Sequence, residues 1–216
     1  MAKKKKITKQ DIITMYMDYV LEQNEEPTSV YKFSKENNFD EALFYQNYAS
    51  FDAIRSSIFA SFFEHTITLL EKSDEFETFD AKNKLLSFYY TFFEMLTANR
   101  SYVVYALKKD DKLKGLKSLK ELRTHFIKFV DTLGIEKLDI KQERISKFQD
   151  KAISEGAWGQ LLVTLKFWLE DSSPSFEKTD VFIEKSVKAS FDIMNIAPIK
   201  SVLDLGKFLF KEKMMS

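Results

Sequence analysis

The chain has 216 residues, 44% of them hydrophobic and 15% aromatic, and its 33 basic and 33 acidic side chains balance to a net charge of zero. This composition is sufficient to bury a sizeable core in one or two domains, and it provides no overall attraction to polyanions. The absence of cysteine excludes disulfides and thiolate metal sites. No apolar run resembles a signal peptide or reaches the ~20 residues of a membrane span, so we expect a cytoplasmic protein.

Helical periodicity dominates the sequence and predicts an all-α fold. Only five glycines and three prolines interrupt it, and the abundant Lys, Glu, Leu and Phe residues favour long helices over strands. The first helix is predicted to begin at Thr8, which has the spacing of a capping box with Asp11, and to continue through Leu21. Residues 1 to 7 precede it as a basic arm that we expect to be disordered.

Two short helices separated by a tight turn are predicted between residues 28 and 48. Thr28 is the expected N-cap of the first helix, and Asn37 and Asn38 tolerate the left-handed backbone that ends it. The second helix is predicted to begin at Asp40, and Ser50 to cap a longer third helix. The apolar positions that pack the two short helices together are Val30, Phe33, Leu43, Phe44 and Tyr48.

At these residues the sequence resembles the TetR-type transcriptional regulators. The resemblance is carried by Thr28-Ser29-Val30, Phe33-Ser34-Lys35, Phe44-Tyr45-Gln46-Asn47-Tyr48 and Ala49-Ser50, an ordered run that is far more specific than one short motif. It implies a homodimer in which each chain has an N-terminal three-helix head with a helix-turn-helix and a C-terminal helical bundle with a hydrophobic ligand cavity. It implies operator DNA as a partner. The expected DNA contacts include two lysines of the basic arm and six residues of the two short helices. They are Lys4, Lys5, Ser29, Lys32, Tyr45, Gln46, Asn47 and Tyr48.

The charge of the head departs from the family's pattern. Asp40, Glu41 and Leu43 stand where the family usually has a small or hydroxyl residue and a Lys or Gly, and Phe51 stands where it usually has a Lys. Five basic and eleven acidic residues lie between positions 7 and 72, a net charge of −6. DNA affinity depends mainly on neutralising phosphates, so an acidic head is unfavourable for it. The basic arm either supplies the positive charge that DNA binding needs or acts only as a solubilising terminus.

A larger domain is predicted from residue 73 to residue 197, after a head that spans residues 8 to 72. Aromatic residues crowd its first helix, which is apolar nearly all round and therefore buried on several sides. These rings form either a plain core or the wall of a cavity for an apolar small molecule or lipid. Residues 108 to 120 are expected to be a basic linker and helix start. The candidate ligand-binding residues are Phe88, Tyr89, Phe92, Phe93, Tyr105 and Phe126.

Two late helices are predicted on either side of a break at residues 171 to 174. The first carries one apolar stripe, whereas the second has two apolar faces. One of these faces can pack in the core of its own chain, and the other, which we call the spare face, is not needed for that packing. The spare face indicates either a homodimer interface or an interior helix of a monomer. The candidate dimer-interface residues are Trp158, Leu161, Leu165, Trp168, Ile183, Val187 and Phe191.

Residues 198 to 216 are predicted to form a basic amphipathic helix. Such a helix folds back on the body, docks a partner or makes peripheral contact with a membrane. The run from Trp168 through Phe182 is similar to the helix-break-helix segment of the TetR-like lipid-binding protein of ubiquinone biosynthesis. This second resemblance implies an alternative function, that of a lipid-binding or membrane-associated accessory protein that has lost DNA binding.

Nothing in the sequence indicates an enzyme or a cofactor. There is no Gly-rich phosphate loop and no nucleophile elbow, and the acidic residues are dispersed over helix surfaces. His65 and His125 each stand alone among apolar neighbours, without a second histidine or a carboxylate at ligand spacing. We therefore predict no catalytic residues, no metal site and no cofactor.

Overall fold

A computed structural model describes residues 7–108, 112–135 and 143–195, and this part of the chain contains helices but no β-strand. The prediction of an all-α fold is confirmed. No helix in the described ranges combines the length and the apolar character needed to cross a bilayer. The helices are, in chain order, α1 (Lys9–Gln23), α2 (Val30–Glu36), α3 (Glu41–Asn47), α4 (Phe51–Leu70), α5 (Asp74–Thr78), α6 (Ala81–Ala98), α7 (Arg100–Lys108), α8 (Lys112–Ser118), α9 (Lys120–Thr132), α10 (Glu143–Glu170) and α11 (Glu177–Asn195), with a 3-10 helix at Pro174–Phe176.

The chain divides into two compact units. The first contains Met1–Leu69 and Thr91–Phe126, and the second contains Leu70–Tyr90 and Ile127–Ser216. Helices α6 and α9 each contribute residues to both units. The first unit includes α1, α2, α3 and nearly all of α4, which we call the head.

The helix boundaries of the head follow from its capping residues. Thr8 caps α1, and its backbone N–H donates to Asp11 Oδ2 at 2.7 Å while Asp11 N–H donates back to Thr8 Oγ1 at 3.1 Å, which confirms the predicted capping box. Ser29, one residue after the predicted Thr28, caps α2 by accepting from Lys32 N–H at 3.2 Å. Asp40 caps α3 as predicted. Side-chain oxygens at these positions satisfy N–H groups that have no partner within the helix.

One phenylalanine ring holds the head together. Phe33 on α2 is fully buried, and its ring lies edge-on to rings from α1, α4 and the segment around α3. The ring centroids are 5.6 to 6.3 Å apart in these pairs, each of which contributes about 0.5–1.5 kcal/mol beyond the area it buries. The partner rings are Tyr16, Tyr19, Phe39, Phe44 and Phe51.

A buried ionic cluster joins α4 to the loop between α1 and α2. Arg55 is 5% exposed and forms ion pairs with Glu26 in that loop and with Asp52 one turn earlier on α4. The Tyr16 hydroxyl on α1 donates to Glu26 Oε1 at 3.0 Å, and burial raises the pKa of this tyrosine above its ordinary value. The carboxylate of Glu26 therefore joins three segments of the head, namely α1, the loop after it and α4.

The rest of the first unit comprises the last turns of α6, then α7, α8 and the first half of α9. Residues 108 to 120, expected to be a basic linker and helix start, contain the helix α8. Helix α8 packs closely on α7, since a Cβ at Gly115 would lie 3.3 Å from the backbone oxygen of Leu107. A larger residue at this position would require that neighbouring backbone to shift by a few tenths of an ångström. Helix α7 also packs on α1.

In the second unit, α5 lies in the charged connector between α4 and α6. The short helix is retained because Phe76 is buried, and Lys84 on α6 lies 5.7 Å from the centre of that ring and 3.8 Å from Glu77. Phe88 on α6 packs against Phe129 on α9 with ring centroids 5.0 Å apart. Burial of the Phe76 side chain thus stabilises a helix in a connector whose composition is mostly polar.

Helices α10 and α11 form a hairpin around the predicted break. Asp171, only 9% exposed, accepts hydrogen bonds from the backbone N–H of Ser173 at 2.8 Å and of Thr179 at 3.0 Å, and from both hydroxyls at 2.7 Å. Burial alone would raise the pKa of this carboxyl, but the four donors outweigh burial and lower the pKa to about 2. A single charged side chain thereby fixes the turn and the start of α11.

Candidate functional site

The turn between α2 and α3 orients two short helices as the sequence predicted. Asn38 adopts the left-handed conformation with φ of 56°, and Phe39 N–H donates to Ser34 O at 3.0 Å, which closes the end of α2. Phe44 is fully buried under α2, whereas Tyr45 and Gln46 on α3 face solvent. Helix α3 therefore has one face in the core and one face available to a partner.

Of the residues expected to contact DNA, four are exposed on this helix pair. Ser29 caps α2, and Lys32 one turn later lies 3.9 Å from Glu36. Tyr45 on α3 is 55% exposed, and the neighbouring Gln46 is also exposed. These four side chains combine a hydroxyl, an ammonium, a phenol and an amide. Such a set can donate to phosphate oxygens and read a base edge. Lys4 and Lys5 lie outside the described residues.

The other two expected DNA contacts are directed inward. Tyr48 is 4% exposed, and its hydroxyl donates to the backbone oxygen of Lys9 at 3.4 Å, so it joins the end of α3 to the start of α1. Burial raises the pKa of Tyr48 to about 12. Asn47 is half-buried, and its Nδ2 donates to Leu43 O at 2.8 Å within α3. Both side chains support the helix pair rather than extend from it.

Tyr31 is an exposed aromatic residue of the head that the sequence interpretation did not single out. It lies on α2, is 61% exposed, and has the ammonium of Lys35 at 5.9 Å from its ring centre. Its place on α2 was the available signal, since it lies about 100° around the helix from the buried Val30 and about 160° from the buried Phe33. The charge around the helix pair is acidic, with Glu36, Asp40 and Asp52 all exposed.

The six expected ligand-binding residues are divided between the two units. Phe88 and Tyr89 belong to the second unit, while Phe92, Phe93, Tyr105 and Phe126 belong to the first. All are buried except Tyr105, which is half-buried. Burial raises the pKa of the Tyr89 phenol above its ordinary value. The five buried side chains therefore have the exposure of core positions, and a cavity remains a prediction.

Most residues expected at a dimer interface are packed inside a single chain. Leu161, Leu165 and Trp168 on α10 are at most 4% exposed, and Ile183 and Val187 on α11 are fully buried. Trp158 and Phe191 are half-buried. The five buried side chains have almost no surface to offer a second chain, because each is already buried within its own chain. A dimer through these helices would use their outward side chains instead.

The outward side of the α10–α11 hairpin contains a shallow apolar groove. Phe167 on α10 stacks on Phe182 on α11 with ring centroids 4.6 Å apart and an angle of 10° between the planes. The groove has a volume of 610 Å³, and Val181 on its rim is 49% exposed. Its lining residues are Phe167, Glu177, Lys178, Val181, Phe182, Lys185 and Ser186.

Among the described residues, no group of histidines and carboxylates has the arrangement needed to hold a metal ion. Residues 84–209 match a family model described as "Tetracyclin repressor-like, C-terminal domain". The match begins on α6 and covers more than half of the chain. No curated protein matches the chain significantly.

Proposed function

The chain belongs to the tetracyclin repressor-like family, and from this premise we propose that it is a homodimeric transcriptional regulator whose operator binding is controlled by an apolar ligand. The family match, which covers the larger C-terminal part, supports a regulator of this family. The arrangement of α2 and α3 as two short helices joined by a turn supports DNA binding. Two such helix pairs, one on each protomer, would read two half-sites of a symmetric operator.

The observation that carries the DNA-binding proposal is the two-sided character of α3. Its inner face is anchored by Phe44, while Tyr45 and Gln46 extend into solvent, as does Lys32 on α2. In this assignment Tyr45 and Lys32 contact phosphates, and Gln46 donates to and accepts from an adenine edge. Tyr48 and Asn47 act as positioning residues, since their hydrogen bonds hold α3 against α1 and within itself.

The acidic surface of the head makes the basic arm necessary to this function. Asp40 and Glu41 at the start of α3 repel phosphates, and no compensating lysine cluster lies within α1 to α4. Residues 3 to 6 are four consecutive lysines, including the predicted contacts Lys4 and Lys5. Each phosphate that the arm neutralises adds about −0.9 to the slope of log K against log salt concentration. Removal of the arm is therefore expected to reduce both the affinity and its salt dependence.

The ligand and the dimer are assigned to the C-terminal part of the chain. The aromatic residues of α6, with Tyr105 and Phe126, favour an apolar ligand with rings or long alkyl chains. Helices α10 and α11 are assigned to the dimer because Val163, Val181 and Ile193 remain exposed on them. Ligand binding would then release DNA by changing the separation of the two heads.

Fluorescence anisotropy with the DNA upstream of the protein's own coding sequence tests the DNA-binding proposal. We expect Tyr45→Ala and Gln46→Ala each to weaken binding by about 5- to 10-fold, in line with the loss of one or two contacts of about 1 kcal/mol. Tyr31→Ala is the matched control, because Tyr31 is equally exposed on the helix pair but lies outside the proposed contact set. Equal losses in Tyr31→Ala and Tyr45→Ala would contradict the assignment. Absence of any DNA binding at 50 mM salt would reject the regulator as a whole.

A second function on the same fold is favoured by the charge of the head. Its net charge of −6 and the inward direction of Tyr48 are unfavourable to phosphate contact, and both are compatible with a lipid carrier that has lost DNA binding. In that case a solvent extract of the purified protein would contain an apolar molecule by mass spectrometry. The protein would also float with anionic liposomes, and deletion of residues 198 to 216 would abolish flotation. A co-purified apolar molecule is compatible with both functions, whereas flotation that depends on residues 198 to 216 is expected only of the lipid carrier.

A further inference from the structure

The first compact unit contains a basic segment outside the head. Residues 100 to 123 include eight basic and three acidic side chains, a net charge of +5, whereas residues 7 to 72 have a net charge of −6. The segment and the head belong to the same unit. Where the basic segment meets the head therefore decides whether its charge can assist an acidic helix pair in binding phosphates.

The start of α9 lies against the first half of α4. Ser56, in the second turn of α4, is 7% exposed, and its hydroxyl accepts a hydrogen bond from the backbone N–H of Glu121 at 3.2 Å. This bond satisfies one of the N–H groups at the beginning of α9 that have no partner within the helix. Lys120, the first residue of α9, is therefore held one position away from a contact with the helix that follows α3.

The start of α9 also adjoins the end of α3. Burial raises the pKa of Tyr48, a hydrogen bond with Ser57 lowers it, and the negative charge of Glu121 raises it further, so Glu121 lies near the Tyr48 hydroxyl. Lys9 at the start of α1 has its ammonium 5.6 Å from the centre of the Tyr48 ring. The beginnings of α1 and α9 thus both lie beside the last turn of α3.

Two exposed lysines lie close together at the junction of α8 and α9. Leu119 N–H donates to Leu116 O at 3.1 Å, and this turn connects the two helices. Lys117 and Lys120 stand three positions apart across the turn, and both face solvent. The turn therefore presents two positive charges beside the start of α4.

The ammonium groups of Lys9, Lys117 and Lys120 are available to a partner. All three residues are exposed, and none forms an ion pair within the described part of the chain. They outnumber the acidic residues at the same two helix starts, Asp11 and Glu121. The carboxylate of Asp11 is already engaged by the backbone N–H and the hydroxyl of Thr8, each at 2.7 Å. The local charge is positive although the head as a whole is acidic.

We propose that Lys9, Lys117 and Lys120 form a phosphate-binding surface that extends the DNA interface from α3 onto the junction of α8 and α9. Its occupant is the sugar–phosphate backbone of duplex DNA next to the bases that Gln46 reads, because exposed ammonium groups neutralise phosphates whatever the sequence. The inference rests on the proposed function, and it names a second source of positive charge, in addition to the basic arm, for an acidic head.

The salt dependence of DNA binding tests the proposal in the full-length protein. Fluorescence anisotropy with the DNA upstream of the coding sequence gives the slope of log K against log salt concentration. We expect Lys117→Gln with Lys120→Gln to reduce the magnitude of this slope by about 2, or about 0.9 for each lysine, and to weaken binding at least about fivefold at about 100 mM salt.

A matched control separates this surface from the overall charge of the protein. Lys128→Gln with Lys185→Gln removes the same charge from two exposed lysines of the second unit. We expect this pair to change the slope by less than about 0.3, since neither residue belongs to the proposed surface. All four lysines are exposed, so the variants are expected to fold, and equal thermal midpoints would verify it. Equal changes of slope in the two pairs would contradict the proposal.

A scrambled duplex of the same length distinguishes phosphate contact from base reading. We expect Lys117→Gln with Lys120→Gln to weaken binding to both duplexes by the same factor, because phosphates carry no sequence information. Gln46→Ala is expected to weaken binding to the upstream DNA alone. A loss confined to the upstream DNA in the lysine pair would overturn the assignment to the phosphate backbone.

Failure of this inference differs from failure of the proposed function. If the wild-type protein binds DNA and the lysine pair keeps the wild-type slope, only the extended surface is rejected. If the wild-type protein binds neither duplex, the regulator is rejected and the surface with it. Leu116 beside Lys117 is 56% exposed and would suit an anionic membrane. Flotation with anionic liposomes that is lost in the lysine pair, without any change in DNA binding, would assign these lysines to lipid and overturn the proposal.

Discussion

The head and the α10–α11 hairpin each bury one charged side chain, but they compensate it in opposite ways. In the head, the guanidinium of Arg55 is paired with the carboxylates of Glu26 and Asp52. In the hairpin, the carboxylate of Asp171 has no cationic partner among its hydrogen-bond donors, which are two backbone N–H groups and two hydroxyls. The ion pairs of Arg55 require that distant segments of the chain meet. The hydrogen bonds to Asp171 all come from within nine residues of the chain.

This difference has a thermodynamic consequence. A buried ion pair is costly to break from one side, because the remaining charge is left in a medium of low dielectric constant. A carboxylate solvated by neutral donors is instead sensitive to its own protonation, since each donor favours the charged form. The stability of the head is therefore expected to depend mainly on whether both carboxylate partners of Arg55 are present. The stability of the hairpin is expected to depend mainly on pH.

The largest expected effect is the loss of Glu26. Glu26→Ala removes the inner partner of Arg55 and the acceptor of the Tyr16 hydroxyl, and we expect it to lower the free energy of unfolding by about 3 kcal/mol. Asp52→Ala is the matched control, because Asp52 pairs with the same arginine but its side chain is 78% exposed. Its expected cost is below about 1 kcal/mol. Urea denaturation measures both, and equal losses would contradict the ranking of the two carboxylates.

An intermediate effect is expected at Asp171. Asp171→Asn replaces an oxygen that accepts two hydrogen bonds by an amide that donates, and we expect a loss of about 2 kcal/mol at pH 7. Because the folded-state pKa of about 2 lies below the ordinary value of 3.8, the ionised carboxyl stabilises the fold above pH 4, and this contribution disappears as the pH falls toward 2. The difference in thermal midpoint between wild type and Asp171→Asn should therefore shrink across that range. A constant difference would mean that the charge of Asp171 is not what holds the hairpin.

The smallest effect distinguishes two buried tyrosines of the first unit. The Tyr102 hydroxyl is buried on α7 without a hydrogen-bond partner among the described residues, so Tyr102→Phe is expected to be neutral or to stabilise by up to about 1 kcal/mol. Tyr16→Phe removes the same group but loses the bond to Glu26, at an expected cost of about 1 kcal/mol. Denaturation of the two variants in parallel checks the sign of the difference. A destabilised Tyr102→Phe would indicate that its hydroxyl has a partner.

Local signals in the sequence predicted much of this fold correctly. Thr8 with Asp11, Asp40, Ser50 and the break after residue 170 each mark a helix boundary that the structure contains. These features depend on hydrogen bonds between residues two to eight positions apart, so a short stretch of sequence carries the physical cause. The helix α5 was not predicted, because it depends on the burial of Phe76. Residues 108 to 120 were predicted as a linker and helix start, but the close approach of Gly115 on α8 to Leu107 on α7 was not predictable from the sequence.

The candidate site was less predictable than the fold. Periodicity places Tyr45 and Tyr48 three residues apart on α3 and gives both the appearance of contact residues. In the structure, Tyr45 is exposed while the Tyr48 hydroxyl reaches Lys9, 39 positions earlier in the chain. Similarly, an apolar stripe on α10 and α11 indicates a buried face but not what buries it. A contact between distant positions cannot be read from the spacing within one helix.

The sequence by itself determined that the chain is helical, where most helices begin and end, and which side chains are apolar enough to be buried. Those properties arise from backbone conformation, capping and helical period, which are local. Tertiary structure alone decided that Arg55 is buried between two carboxylates, that Tyr48 is a support for α3, and that Phe167 stacks on Phe182 beside an open groove. These outcomes depend on which helices meet and on the shape left between them, and both are set by the packing of the whole unit.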